Sequence, residues 1–241
     1  MQENSQELIR NIKGVLEFYQ TIGIERLPIR SVPRGSRPAC NRNAAALSKP
    51  LPKGDRKNAL EALRADIGDC RRCKLFHKRT NIVFGEGDPA ARLLFIGEAP
   101  GREEDIQGKP FVGDAGMVLT RLINKMGFRR EDVYIANIVK CRPPMNRDPE
   151  ADEIETCRHF LERQIEIIQP DVIMSLGRIS AMTLTGDMNL KITAIRGKFF
   201  FYKGIPVMPT FHPAYLIRNP KDKWLTWNDA QKVLERLEKK A

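Results

Sequence analysis

The stretch that decides the fold is Leu93-Leu94-Phe95-Ile96-Gly97-Glu98-Ala99-Pro100-Gly101. Its apolar residues predict a buried strand that leads directly into a glycine-rich loop, which continues to Gly116. Open α/β sheets place their ligand crevice at the carboxyl edge of such strands. Glu98 is the first polar side chain after the strand, and we expect it at that edge. An ordinary surface loop is the alternative interpretation of the glycines.

Strand and helix patterns alternate along the rest of the chain. Further strands are predicted at residues 133–139, 172–176, 198–202 and 207–211, the last two forming a hairpin. Helices are predicted at residues 116–126, 149–168, 178–183 and 227–238, after a short helix that Asp55 caps and Gly68 ends. The alternation predicts an α/β fold, a three-layer αβα domain over residues 55–241 with a mainly parallel central sheet.

Residues 1–54 differ in composition from the rest. Apolar residues at helical spacing over 8–19 predict an amphipathic helix, which could dock on the main domain or on a protein partner. Residues 27–54 are rich in proline and arginine and are typical of a semi-rigid or disordered linker. Cys40 lies in this linker without a partner spacing and is interpreted as a free thiol.

The chain is basic. Its 41 Lys and Arg against 30 Asp and Glu give a net charge of +11, which favours a polyanionic partner, with nucleic acid ahead of a membrane surface. No run approaches 18 consecutive apolar residues, and Met1-Gln2-Glu3-Asn4-Ser5 does not begin a secretory signal. We expect a cytoplasmic protein with no membrane partner, and a monomer.

Four cysteines are spaced like ligands of a metal centre. Cys70 and Cys73 form a C-x2-C pair, and Cys141 and Cys157 are separated by 15 residues. Two such pairs can complete a four-thiolate site for zinc or for a [4Fe-4S] cluster, and the long second spacing favours iron-sulfur. Unrelated buried thiols are the alternative.

Several basic residues lie close to these cysteines in the sequence. Some are expected to balance thiolate charge, and the excess predicts a face that grips phosphates. The residues concerned are Arg71, Arg72, Lys74, His77, Lys78 and Arg79 near the first pair, and Lys140, Arg142 and Arg147 near the second.

Two more polar residues end apolar strands. Asn137 follows Tyr134-Ile135-Ala136, and its amide could read the Watson-Crick edge of a base, with a loop-capping role as the alternative. His212 precedes a proline, and a rigid imidazole there suits donation to developing negative charge, unless it is structural. Beyond it, Tyr215, Leu216 and Arg218 form a predicted DNA-binding loop. Leu216 is interpreted as an apolar wedge, with packing against the core as the alternative.

Four motifs stand in the order found in the family 4 uracil-DNA glycosylases, the iron-sulfur type. They are GEAPGREED at 97–105, GKPFVGDAG at 108–116, YIANIVKCRPP at 134–144 and FHPAYLIR at 211–218. The chain resembles this family from about Asp55 to its C-terminus. The resemblance implies a Rossmann-like αβα uracil-DNA glycosylase fold with a [4Fe-4S] cluster on Cys70, Cys73, Cys141 and Cys157. It also implies an enzyme that hydrolyses the N-glycosidic bond of deoxyuridine in single- or double-stranded DNA and so begins base-excision repair.

The resemblance also assigns roles to residues. Phe111 would stack on uracil and Asn137 would read its polar edge, with Ala99 in the same substrate-binding set. Glu104 would crowd C5 and exclude the methyl group of thymine. His212 would donate to uracil O2, and Glu98 would position water, act as its base or steady the sugar cation.

Two departures from the family limit these expectations. Ala214 stands where the family often has serine, and no Lys-Arg-Arg-Ile-His insertion is present, so covalent capture of DNA is not expected. A related glycosylase with altered base choice, acting on hypoxanthine or mismatched bases, and a catalytically silent iron-sulfur DNA-binding protein are the alternative functions.

Overall fold

The computed structural model describes residues 52–239. The predicted N-terminal helix, the proline-rich linker and Cys40 lie outside them, so the boundary at residue 54 stays a prediction. Helix α1 spans Lys53–Ile67 with Pro52 as its N-cap, which places Asp55 inside the first turn. The predicted capping role of Asp55 is therefore wrong, whereas Gly68 ends the helix with a positive φ, as expected.

Six strands form one sheet in the order β1-β3-β2-β4-β6-β5. They are β1 Glu86–Gly87, β2 Leu93–Gly97, β3 Tyr134–Asn137, β4 Val172–Leu176, β5 Phe200–Tyr202 and β6 Ile205–Thr210. The inner four strands are parallel, and β1 and β5 pair antiparallel at the two edges. The prediction of a mainly parallel sheet is confirmed.

Eight α-helices lie in the described part of the chain, together with four short 3-10 helices at Lys74–His77, Arg130–Asp132, Pro144–Asn146 and Pro220–Asp222. After α1 the α-helices are α2 Arg102–Gln107, α3 Asp114–Lys125, α4 Ala151–Ile168, α5 Arg178–Thr185, α6 Ile192–Ile195, α7 Pro213–Arg218 and α8 Lys223–Glu238. Within residues 52–239, the helices lack the length and apolar character needed to cross a membrane.

Strand β2 shows how the three layers arise. All five of its residues are buried, and successive side chains point to opposite faces of the sheet. Leu94 and Ile96 pack with α1 and α4 residues in one apolar cluster, whereas Leu93 and Phe95 pack with α3 and α8 residues in another. A strand covered on both faces needs a continuous apolar run, which explains the sequence of β2.

Register brings the strand ends together. Gly97 of β2 pairs with Asn137 of β3, and Leu176 of β4 pairs with Thr210 of β6. The carboxyl ends of these four parallel strands therefore meet at one edge. Strands β3 and β4 lie on opposite sides of β2, and such a reversal of strand order is where open α/β sheets bind ligands.

Candidate active site

A cavity of about 430 Å³ opens at this edge. Every side chain predicted to contact substrate lines it, namely Glu98, Ala99, Glu104, Phe111, Asn137 and His212. Cavities of this volume hold small ligands. The structure thus brings the predicted set together, while the role of each residue stays a prediction.

Gly97 allows two of these side chains to converge. A Cβ atom at Gly97 would lie 2.5 Å from Cζ of Phe111 and closer still to Oδ1 of Asn137. Real Cβ contacts are never that short, so any larger residue would displace the ring or the amide. The glycine that ends β2 is therefore needed because the cavity wall passes directly over its backbone.

Asn137 has a buried amide oxygen without a hydrogen-bond partner among the described residues. The residue is 1% exposed, and the oxygen concerned is Oδ1. Buried amide oxygens are normally paired, because an unpaired one costs desolvation free energy. Since Asn137 also lines the cavity, this oxygen is placed to accept a hydrogen bond from a ligand.

Glu104 holds the loops around Phe111. Its carboxylate accepts hydrogen bonds from the backbone N–H groups of Val112 and Gly113 at 2.9 Å and of Gly101 at 3.1 Å. Phe111, one residue before Val112, is buried with φ +52°. This anchoring role was not predicted, although a Glu three residues after the N-cap Gly101 is placed to accept from the N-cap backbone N–H, as one half of a capping box.

His212 is held as one tautomer. Its Nδ1 lies 3.1 Å from the backbone N–H of Ala214 and accepts that hydrogen. The proton of the neutral ring is therefore on Nε2. Burial, assisted by the positive charge of Arg218, lowers the pKa of His212 to about 4, so the ring is neutral at physiological pH. Its centroid lies 5.8 Å from that of Phe111.

Glu98 titrates near neutrality. Burial, with a smaller contribution from the nearby charge of Asp148, raises its pKa to about 7, and Arg178 opposes the shift. Arg178 is itself ion-paired with Asp148 at 2.7 Å. Glu98 is therefore a carboxylate for most of the time only above pH 7.

The segment predicted as a DNA-binding loop is helix α7, which begins with proline at its first position and with His212 as N-cap. Tyr215 and Arg218 line the cavity mouth, and Tyr215 donates a hydrogen bond to Asp222 at 2.7 Å. Leu216 is 3% exposed and packs inward, so its interpretation as a wedge is wrong. The exposed apolar residue of α7 is Ile217.

Pro143, Asn146 and Arg147 also line the cavity, although only Arg147 was singled out from the sequence, as one of the cations near the cysteines. Arg147 lines the cavity and makes two hydrogen bonds, at 2.7 and 2.8 Å, to the fully buried Glu153. Its guanidinium is ion-paired with carboxylates at the start of α4, and its predicted role in gripping phosphates stays a prediction. The ion pair with Glu153 fixes this part of the cavity wall to the start of α4, because Glu153 also accepts from the backbone of Glu150.

The four cysteines line one small cavity of about 20 Å³. The sulfurs of Cys70, Cys141 and Cys157 each accept a hydrogen bond at 3.4 Å, from Arg72, from Arg79 and from the backbone N–H of Lys140 respectively. Within residues 52–239, no three His, Cys, Asp or Glu side chains surround a single metal-ion position.

Lys140 is buried, so it cannot belong to a phosphate-gripping face, and it fits the other predicted role of balancing thiolate charge. It is 1% exposed, and its ammonium donates to the backbone carbonyl of Asn137 at 2.8 Å and to Gln164 at 2.6 Å. No carboxylate in the described chain hydrogen-bonds it, and burial lowers its pKa to about 8. Lys140 thus connects the cysteine segment directly to the residue that ends β3.

A second connection runs through Asp105. Its buried carboxylate accepts from the backbone N–H groups of Thr80 at 2.9 Å and Asn81 at 3.3 Å. Thr80 follows Arg79, which donates to Cys141, and Asp105 follows Glu104, which holds the cavity loops. The cysteine site and the cavity are therefore attached to each other on two sides.

Comparison with known proteins agrees with this arrangement. Residues 84–237 match the uracil DNA glycosylase superfamily. The chain is 50% identical to a type-4 uracil-DNA glycosylase of Saccharolobus solfataricus, over 75% of this chain and 88% of the relative. It is 49% identical to that of Thermotoga maritima, over 68% and 86%, and 42% identical to that of Archaeoglobus fulgidus, over 76% and 95%. The chain belongs to the uracil DNA glycosylase superfamily and, within it, to the type-4 uracil-DNA glycosylases.

Proposed function

We propose that this protein hydrolyses the N-glycosidic bond of deoxyuridine in DNA, releases uracil and leaves an abasic site for base-excision repair. The observation that carries the proposal is the unpaired, buried Oδ1 of Asn137 beside Phe111 and His212 in one cavity. The target nucleotide must leave the base stack to enter such a cavity.

Asn137 supports recognition of uracil. Uracil presents an N3–H donor beside an O4 acceptor, and an amide can satisfy both, through Oδ1 and Nδ2 respectively. Cytosine presents an acceptor and an amino group at the same two positions, so it would leave both groups of the amide unpaired. A site built to hydrogen-bond its substrate rejects such analogues strongly.

Two side chains support rejection of thymine and stacking. Glu104 lies at the cavity wall with its carboxylate fixed by three backbone N–H groups, so it cannot move aside easily for a methyl group. Phe111 offers an aromatic face whose backbone is held by the same contacts. Both are therefore positioned before the base arrives.

His212 supports departure of the base. As the C1′–N1 bond breaks, its electron pair moves to uracil and negative charge develops on O2. The Nε2–H of the neutral His212 can donate to that oxygen, and a preorganised donor stabilises the transition state without reorganisation. Water then adds its oxygen to C1′ and loses a proton.

Glu98 supports the other half of the reaction. Positioning the water, accepting its proton and steadying the positive sugar all require the carboxylate form. Because its pKa is raised to about 7, a fraction of the enzyme near neutrality carries the protonated, inactive acid.

We infer that Cys70, Cys73, Cys141 and Cys157 would hold a [4Fe-4S] cluster. The chain's own residues fit such a group, because three sulfurs accept hydrogen bonds and Lys140 is a buried cation without a carboxylate partner in the described residues. When bound, the cluster supplies a cross-link and negative charge. A visible absorption band that bleaches on oxidation is expected, and a colourless zinc-containing protein would contradict the assignment.

The function is tested with single- and double-stranded oligonucleotides that carry one uracil, thymine, hypoxanthine or mismatched base. Alkali then cleaves any abasic site, and chromatography identifies the released base. We expect release of uracil alone. Release of hypoxanthine or a mismatched base would indicate altered base choice, and no cleavage on any strand would contradict the proposal.

A further inference from the structure

Met145 is the most exposed large apolar side chain in residues 52–239. It is 93% exposed, whereas the next, Phe201, is 62% exposed. Its neighbours Pro143, Asn146 and Arg147 line the cavity, so Met145 stands at the cavity mouth. Because it is exposed, this apolar side chain is not stabilised by packing in the protein's own core.

The backbone at Met145 is unusual. Its φ is +55° and its ψ is +20°, in the left-handed region that a methionine rarely adopts. Asn146 follows with φ +54°, a conformation that asparagine tolerates better. Such outliers persist where the surroundings impose them, and they are concentrated at ligand-binding sites.

The surroundings of Met145 do impose its conformation. Asn146 N–H donates to Pro143 O at 3.1 Å, and Arg147 N–H donates to Pro144 O at 3.2 Å. Arg142 donates to Asn146 Oδ1 at 2.7 Å, and Arg147 is fixed by Glu153. These hydrogen bonds therefore fix the conformation of the turn, from which the Met145 side chain extends into solvent.

Charge around the cavity mouth suits a nucleic acid. Arg142 lies next to this turn with a neutral amide as its hydrogen-bond partner, and the exposed Arg218 lines the same cavity. Phosphates on both sides of an extruded nucleotide could meet these cations. Leu216, the residue that sequence alone suggested as a wedge, is buried.

We propose that Met145 packs against the stacked bases beside the nucleotide held in the cavity, and so keeps a duplex open during excision. The inference rests on the proposed function. Proteins that open a duplex insert apolar side chains beside the disturbed step. A single strand has no opposing strand to close, so Met145 should matter mainly for duplex substrate.

The test compares Met145→Gly and Met145→Leu with the parent on one uracil-containing strand, alone and annealed to its complement. Glycine suits the positive φ, so the turn is expected to fold normally. We expect Met145→Gly to lower kcat/KM on duplex by roughly tenfold and on single strand by less than about twofold, and Met145→Leu to keep most duplex activity. Met188→Gly, at an exposed methionine that does not line the cavity, is the control and should leave both rates near the parent's.

A second readout follows base unstacking directly. With 2-aminopurine next to an abasic analogue in duplex DNA, the parent should raise the fluorescence and Met145→Gly should not. An unchanged duplex to single-strand ratio, or equal losses on both substrates, would overturn the inference. The parent's activity on single strands tests the proposed function separately, so the two failures can be distinguished.

Discussion

The substrate cavity and the four-cysteine site are the two polar centres of the described chain, and they are stabilised in different ways. In the cavity, backbone N–H groups hold Glu104 and His212 in place. In the cysteine site, the buried cation Lys140 has no carboxylate partner in residues 52–239. The cavity is therefore preorganised by the protein's own backbone, whereas the cysteine site places a buried ammonium beside thiols and without a carboxylate partner in the described residues.

The cavity and the four-cysteine site are also joined by direct hydrogen bonds. Lys140 donates to the carbonyl of Asn137, and Asp105 ties the segment after Arg79 to the loop of Glu104. The negative charge of the proposed cluster would compensate this buried ammonium, and loss of the cluster would leave the charge uncompensated next to Asn137. The cysteine site can thus support catalysis through position, without taking part in the chemistry.

The largest effect is expected inside the cavity. His212→Ala and Asn137→Ala should each slow excision by roughly 10² or more, because each removes one preorganised contact to the leaving base. Single-turnover excision measures the change. His159→Ala is a matched control, since His159 is exposed on α4 and does not line the cavity. Parent rates in both cavity variants would refute the assignment.

The convergence over Gly97 is tested by Gly97→Ala. The added Cβ must displace Phe111 or Asn137, and we expect excision to fall by about 30-fold, with weaker inhibition by free uracil. Gly54→Ala is the control, because nothing lies within 4 Å of a Cβ built at that position. An unaffected rate in Gly97→Ala would show that the two side chains need not converge.

The connection between the two centres is tested by Lys140→Met. The carbonyl of Asn137 loses a buried donor, which costs about 1–3 kcal/mol, and we expect excision about tenfold slower together with faster loss of visible absorbance. Lys78→Met removes an exposed lysine of the cysteine segment and should change neither readout. A loss of absorbance without slower excision would show that the two sites are independent.

The smallest effect is a pH dependence of the cavity. Glu98 has a raised pKa of about 7, so its carboxylate form, and with it kcat/KM, should increase as pH rises through 7 and reach a plateau above 8. From pH 7 to pH 6 the rate should fall about fivefold. Glu98→Gln should be slow with no such pH dependence. A parent profile that is flat between pH 6 and 8 would contradict this titration.

Sequence alone predicted much of the fold because its strands are extreme in composition. The mainly apolar runs of β2 and of β4, at Val172–Leu176, are typical of strands that are buried on both faces. Strand β1 was missed because Glu86–Gly87 has no apolar pattern and exists only by pairing with β3. Helix α7 was interpreted as a loop because it is short, although its proline at the first position is a helix-start signal.

The cavity residues could also be predicted, since each follows an apolar strand or belongs to a motif. The sequence could not predict which neighbouring residues each side chain contacts. Lys140 was counted among the cations near the cysteines, and only the fold shows that its buried ammonium donates to the backbone carbonyl of Asn137. Leu216 faces inward because α7 packs on α3, a tertiary contact that spacing does not reveal.

The central claim is that Asn137 reads the N3–H and O4 edge of uracil in a cavity too narrow for a C5 methyl group. The most direct measurement is single-turnover excision from three otherwise identical single strands carrying uracil, N3-methyluracil or thymine. We predict rapid release of uracil and no detectable release of the two methylated bases. Release of N3-methyluracil at the rate of uracil would contradict the claim.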